Sequence, residues 1–331
     1  MRIALLLILG SFCWTKTIAQ QRPHYAQYPQ NYFLINPAIA GLENYADVRT
    51  GFRRQWAGVE GAPTTFYVTA HLPVGNDEFV IEPASARFSY GRRRREPVQP
   101  DPHAGVGVSL IGDRAGAWAS LTANVAAAYH YPLNDEWQLS GGISGGITQY
   151  TLDFDHIRLA NPQDPAVAQG KVNTLRPDLH AGLWLYSSQL YAGFSAQQLL
   201  ASRLGFRATD YNWQGQLVPH YFLTMGYRLE LIEDWEFVPS FLFKKVANIP
   251  LSVDLNLKFS HLNNFWTGLS YRHRDAFTTW VGVRMAQKLT LSYAYEYAIS
   301  PLQSTTNGSH ELTLGFTLGS RDHYASPRYF W

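Results

Sequence analysis

Asp153, Asp155 and His156 are the one place in this 331-residue sequence where carboxylates and an imidazole lie close enough together to suggest proton transfer. A general base must sit within hydrogen-bond reach of the proton it takes. On a strand, Asp155 and His156 would point to opposite faces, and in a loop they read as surface polar groups. Six further histidines, His71, His130, His180, His220, His273 and His310, stand singly in separate segments. Metal sites gather about four ligands, so these read as hydrogen-bonding residues of a wall or rim. Gly-x-Ser-x-Gly, His-Glu-x-x-His and a phosphate-binding loop are all absent. The sequence points to no enzyme, no cofactor and no metal.

One charge run stands out, Arg92-Arg93-Arg94-Arg95, followed by Pro97, Pro100 and Pro102. It reads either as a solvated loop or as a basic docking surface for an acidic protein or anionic headgroups. The rest of the chain is balanced: 27 Lys and Arg face 25 Asp and Glu, a net charge of +2. That is too even for a nucleic-acid binder, which tracks phosphates with a field of one sign. Aromatics reach 15% and charged residues only 16%, which excludes a disordered chain.

The elements that carry these residues are strands. Leu251, Val253, Leu255, Leu257 and Phe259 alternate with Ser252, Asp254, Asn256, Lys258 and Ser260. Leu289, Leu291, Tyr293, Tyr295 and Tyr297 repeat the pattern, as do Leu312, Leu314, Phe316 and Leu318. A period of two puts each set on one face of a strand. Breaker clusters cut the chain into about fourteen such segments, near the roughly 9 to 11 residues that cross a bilayer at a tilt. Short turns alternate with longer loops at 152–175 and 199–216, and parity puts the long 74–103 connection on the short-turn side.

A soluble sandwich would alternate in the same way. Two features favour a membrane barrel instead. Aromatics at segment ends (Trp56, Tyr129, Tyr131, Trp137, Trp235, Phe237, Phe265, Tyr297) suit interfacial girdles. Asp254, Lys258, Arg272, Arg274, Arg284 and Glu296 fall on the opposite face, where a wet lumen would take them and a dry core would not. The fold expected is an all-β transmembrane outer-membrane β-barrel of about 14 antiparallel strands over residues 46–320, with a tail at 321–331.

Ahead of it, Arg2, the apolar run Ile3 to Ile8 and Thr17-Ile18-Ala19 fit a signal peptide, 1–19, cleaved after Ala19. Phe12 before Cys13 does not fit a lipoprotein site. Residues 20–45 read as an N-terminal periplasmic segment or strap with a turn at Asn36-Pro37; partner contact and a plug or strap that stabilises the barrel are both open.

Tyr25-Ala26-Gln27-Tyr28, Leu34 to Gly41, Arg53-Arg54-Gln55-Trp56-Ala57-Gly58, Gly61 to Thr65 and His71 open the mature chain, and Leu291 to Pro301 and Gly308 to Leu312 close it. In this order the words resemble the PorP/SprF family of type IX secretion system outer-membrane proteins. Arg92 to Arg95 and the tail from Arg321 lie outside the resemblance. The resemblance implies a non-enzymatic outer-membrane component of Bacteroidetes-type bacteria, seated in outer-membrane lipid. Such a component supports secretion or surface attachment of adhesin-type cargo with C-terminal sorting domains, and gliding in some relatives. Its implied partners are the periplasmic ring and peptidoglycan-binding components; residues 20–45, including Asn36 and Pro37, and 74–103, including Arg92 to Arg95, are the segments expected to meet them. The competing expectation is a passive porin for small solutes.

Overall fold

The computed structural model describes residues 22–74, 102–154, 170–200, 217–231, 234–247, 249–262, 264–286 and 288–319, and the backbone alone of 203–208 and 211–216. Residues 1–19, read above as a signal peptide, Arg92 to Arg95, Asp155, His156 and the tail at 321–331 lie outside these residues.

Among the described residues seventeen strands follow in chain order: β1 (Ala46–Arg54), β2 (Thr64–Val74), β3 (His103–Ala115), β4 (Trp118–Pro132), β5 (Gln138–Asp153), β6 (Lys171–Tyr186), β7 (Leu190–Gln197), β8 (Arg203–Ala208), β9 (Tyr211–Gln216), β10 (His220–Tyr227), β11 (Leu229–Glu230), β12 (Trp235–Val246), β13 (Ser252–His261), β14 (Phe265–Arg272), β15 (Ala276–Met285), β16 (Leu289–Ala298) and β17 (Ser309–Leu318). Fourteen of them form one antiparallel ring. β1 pairs with both β2 and β17, and β10 closes the circle on β12, from His220 opposite Val246 to Gly226 opposite Ser240. β8 and β9 make a separate hairpin in the long β7–β10 connection, and β11 adds a two-residue ladder to β12. Closure leaves no strand edge, which hydrocarbon could not satisfy.

The period-two pattern sets which face meets which solvent. Val125, Ile143, Leu255 and Leu269 point outward and are half exposed or more, a surface that suits lipid and would be an aggregation liability in water. Their neighbours point inward: Asp254, Asn256, Lys258 and Ser260 on β13 are all buried in the lumen. The short-turn end, periplasmic by the habit of these barrels, carries both the start of β1 and the end of β17, since Ala46 pairs with Leu318.

Large aromatics on the inner face lie flat against the wall because a glycine stands directly across the ladder. Trp184 covers Gly193, Trp280 covers Gly268 and Trp266 covers Gly282. A Cβ on any of these glycines would come within 2.2–2.4 Å of a ring carbon of the opposing tryptophan. The flattened rings leave the centre of the barrel open for another occupant.

Candidate functional site: the occupied lumen

That occupant is the chain's own beginning. Of the two positions left open for residues 20–45, the described part takes that of the plug and not the periplasmic one: from Tyr25 to Tyr45 every residue is buried, inside the ring of strands. The segment has no periodic element. Three short 3-10 turns, Tyr28–Gln30, Tyr32–Leu34 and Pro37–Ile39, make it compact. Proline stands second in the first turn and first in the last, where its missing N–H costs nothing, and Asn36 caps the last by accepting from the Ala38 amide at 3.0 Å.

A buried irregular segment must find partners for its backbone, and the barrel wall supplies them. Five plug carbonyls accept from wall side chains: Leu34 from Gln197, Ile35 from Ser195, Ala38 from Ser140, Ala40 from His130 and Gly41 from His103. On the opposite wall, Asn256 of β13 donates to the Tyr28 hydroxyl at 2.7 Å. Glu311 of β17 accepts from the amides of Ala26 (2.6 Å) and Gln27 (3.2 Å). Bonds to walls on opposite sides show that the segment spans the lumen.

Close approach is built into the wall as glycine. A Cβ at Gly105 on β3 would stand 1.9 Å from the Ala40 carbonyl oxygen, one at Gly142 on β5 2.5 Å from the Ala38 nitrogen, and one at Gly182 on β6 2.0 Å from Asn36 Oδ1. Gly142→Val should therefore push the Asn36–Gly41 stretch off the wall, at a cost of about 1–3 kcal/mol. Hydrogen exchange is the measurement: amides of 36–41 should lose protection while those of β4 to β6 keep it.

A charged network anchors the plug's outer third. Arg53, almost wholly buried, lies 2.7 Å from Glu296 and 3.6 Å from Glu311. Arg272 reaches Asp254, Glu296 and Asp275 at 3.1–3.3 Å. Arg22, the first described residue, pairs with Asp178 at 3.6 Å and also donates to Gln197 at 2.9 Å. Two residues further on, His24 Nε2 accepts from the Lys244 ammonium at 3.3 Å. The Lys244 charge, and then burial, hold the His24 imidazole well below its ordinary 6.5. A base with a depressed folded pKa takes up its proton more readily once released, so its contribution to stability is present above about 6.5 and is lost as pH falls. Melting curves of the wild type and His24→Asn should therefore converge as pH drops from 7 towards 5. Parallel curves would contradict this.

The residues singled out from sequence fall as follows. Asp254, Lys258, Arg272 and Glu296 face the lumen, but it is a filled and buried space rather than the wet one expected for them. Arg284 is half-buried on the same inward parity near the short-turn end. Arg274 is not a lumen residue: β14 stops at Arg272, and Arg274 sits exposed in the tight turn with φ of 61°. Asn36 and Pro37 are sealed inside, with Asn36 donating to the Leu183 and Phe194 carbonyls, so they present no surface to a periplasmic partner. His71, His130, His180 and His220 line the lumen, while His273 and His310 are on the outer rim. Arg53, His103 and the wall glycines are the site residues that strand alternation alone had not marked out, while Glu311 stands on the polar face that the alternation of the last strand gives it. Among the described residues no group of three His, Cys, Asp or Glu is placed to hold a metal ion.

A closed antiparallel ring of fourteen strands, apolar outside and filled inside by its own leading segment, is an outer-membrane β-barrel with an internal plug. The toluene transporter TbuX of Ralstonia pickettii has a similar fold, with a TM-score of 0.50 at 11% identity over 87% of this chain and 93% of that one. Omp33 of Acinetobacter baumannii gives 0.47 at 8% over 84% and 100%, and a FadL homologue of Pseudomonas aeruginosa 0.47 at 9% over 90% and 94%. No curated protein matches the sequence. Residues 17–316 match the type IX secretion system membrane protein family PorP/SprF, and the chain belongs to that family.

Proposed function

We propose that this barrel is a non-enzymatic, non-conducting scaffold of the type IX system that supports secretion or surface attachment of cargo bearing C-terminal sorting domains. The observation that carries this is the occupied lumen in a chain of a secretion family: the interior polar groups are spent on the chain's own plug. A passive porin needs those groups to face water, so the filled interior speaks against it. Long connections such as the β5–β6 and β7–β10 loops would meet cargo outside. On the periplasmic side the ring and peptidoglycan-binding components would meet the connection from β2 to β3, which leaves and returns at the short-turn end and carries Arg92 to Arg95. With Asn36 and Pro37 buried, that connection is the stronger of the two docking candidates. Replacing all four arginines with glutamine should leave the barrel assembled and cut recovery of the periplasmic partners. Normal assembly with undiminished recovery would dispose of the docking role.

A further inference from the structure

Near the long-loop mouth of the barrel, where β7 and β14 end and β13 begins, a cavity of about 30 Å³ remains between plug and wall. Its lining includes four basic side chains, Arg22 and His24 from the plug, Lys244 from β12 and Arg272 from β14, against one carboxylate, Asp254. The two arginines are matched, Arg22 by Asp178 and Arg272 by Asp254, Asp275 and Glu296. Lys244 is not: it is nine-tenths buried, no carboxylate among the described residues is in ion-pair range of it, and its hydrogen bond goes to His24. A neutral imidazole accepts a hydrogen bond but cannot balance an ammonium, and an unbalanced buried charge is costly. Next to it in the ladder, where Phe222 pairs with Lys244 and His220 with Val246, the buried His220 Nε2 also has no hydrogen-bond partner among the described residues.

We propose that this cavity is a binding site for one small monovalent anion, chloride or the carboxylate group of a formate- or acetate-sized acid, held by Lys244 with Arg22 and Arg272 at its sides. The volume is enough to take such an ion. Because Arg22 and His24 belong to the plug while Lys244 and Arg272 belong to the wall, the anion ties the first described residues of the plug to β12 and β14. This site is independent of the secretion role.

The test uses the full-length protein in detergent micelles, melted at constant pH and ionic strength while chloride, formate or acetate replaces gluconate, a much bulkier anion. The wild type should show a saturable rise in Tm of about 2–4 °C, and Lys244→Met should not, while keeping its strand circular dichroism and the gel mobility of a folded barrel. A response to formate and acetate alone identifies a carboxylate site, and a response to chloride as well a general monoanion site. An equal rise in both proteins, or none in either, overturns the proposal. Crystals of the wild type grown in bromide give a reading that needs no variant: an anomalous peak within hydrogen-bond reach of Lys244 Nζ is expected, and its absence contradicts the site.

Discussion

Removing residues 22–41 should turn a silent barrel into a conducting one. In planar bilayers the intact protein should show no stable unitary current, and the deleted form should show long-lived large openings. The expectation follows from where the segment lies. Its bonds reach Glu311 on β17, Asn256 on β13 and Ser195 on β7, so it bridges the lumen rather than lining one side. Rings of 16 to 18 strands enclose an aqueous channel and rings of about eight are filled by side chains. At fourteen strands the interior is too wide for its own side chains, especially with Trp184, Trp266 and Trp280 folded flat over glycines. Without the plug, Arg53, Asp254, Arg272, Glu296 and Glu311 would face water, the lining of a conducting pore. The ring itself depends on ladder pairing between strands, which the deletion does not touch, so the variant should keep its strand circular dichroism.

The largest effect of a single substitution should come from Arg53→Met. Arg53 is the cation shared by Glu296 and Glu311, and all three side chains are nearly inaccessible. Removing one partner leaves buried carboxylates uncompensated, a loss of about 3–5 kcal/mol. Glu296 keeps Arg272 at 3.3 Å, so the heavier burden falls on Glu311, which also holds the Ala26 and Gln27 amides. Denaturant unfolding in micelles should show the loss, and Arg53→Met with Glu311→Gln should recover part of it, because a neutral amide needs no cation. A double variant less stable than Arg53→Met would contradict this account of the network.

The wall of the barrel was legible in the sequence because lipid on one side and polar groups on the other impose a strict period of two. Leu255 and Leu257 outside, Asp254 and Lys258 inside, follow from that alone. Where the chain turns, the rule stops, and Arg274 is the residue carried one step too far. The plug carries no such period. Its aromatic and polar residues are chosen to fit a polar interior, so the sequence leaves Tyr25 to Tyr45 open between a periplasmic contact segment and a plug until the wall around it is known. The clue was on the wall: Gly105, Gly142 and Gly182 interrupt strands on the inner parity, and a glycine inside a strand marks another backbone coming close. Arg53 and Glu311 were visible as parts of family words, but their pairing joins residues at the two ends of the chain, which no local pattern encodes.

The central claim is that this barrel serves secretion rather than diffusion. Its most direct test compares the surface proteome of a strain lacking the protein with that of the same strain complemented by the intact chain, alongside mass spectrometry of what the tagged protein brings down from native outer membranes. The account predicts that type IX ring components or a sorted adhesin accompany the barrel, and that this cargo is missing from the surface of the deletion strain and returns on complementation. Recovery of the barrel alone, with an unchanged surface and reduced uptake of small solutes, would contradict it.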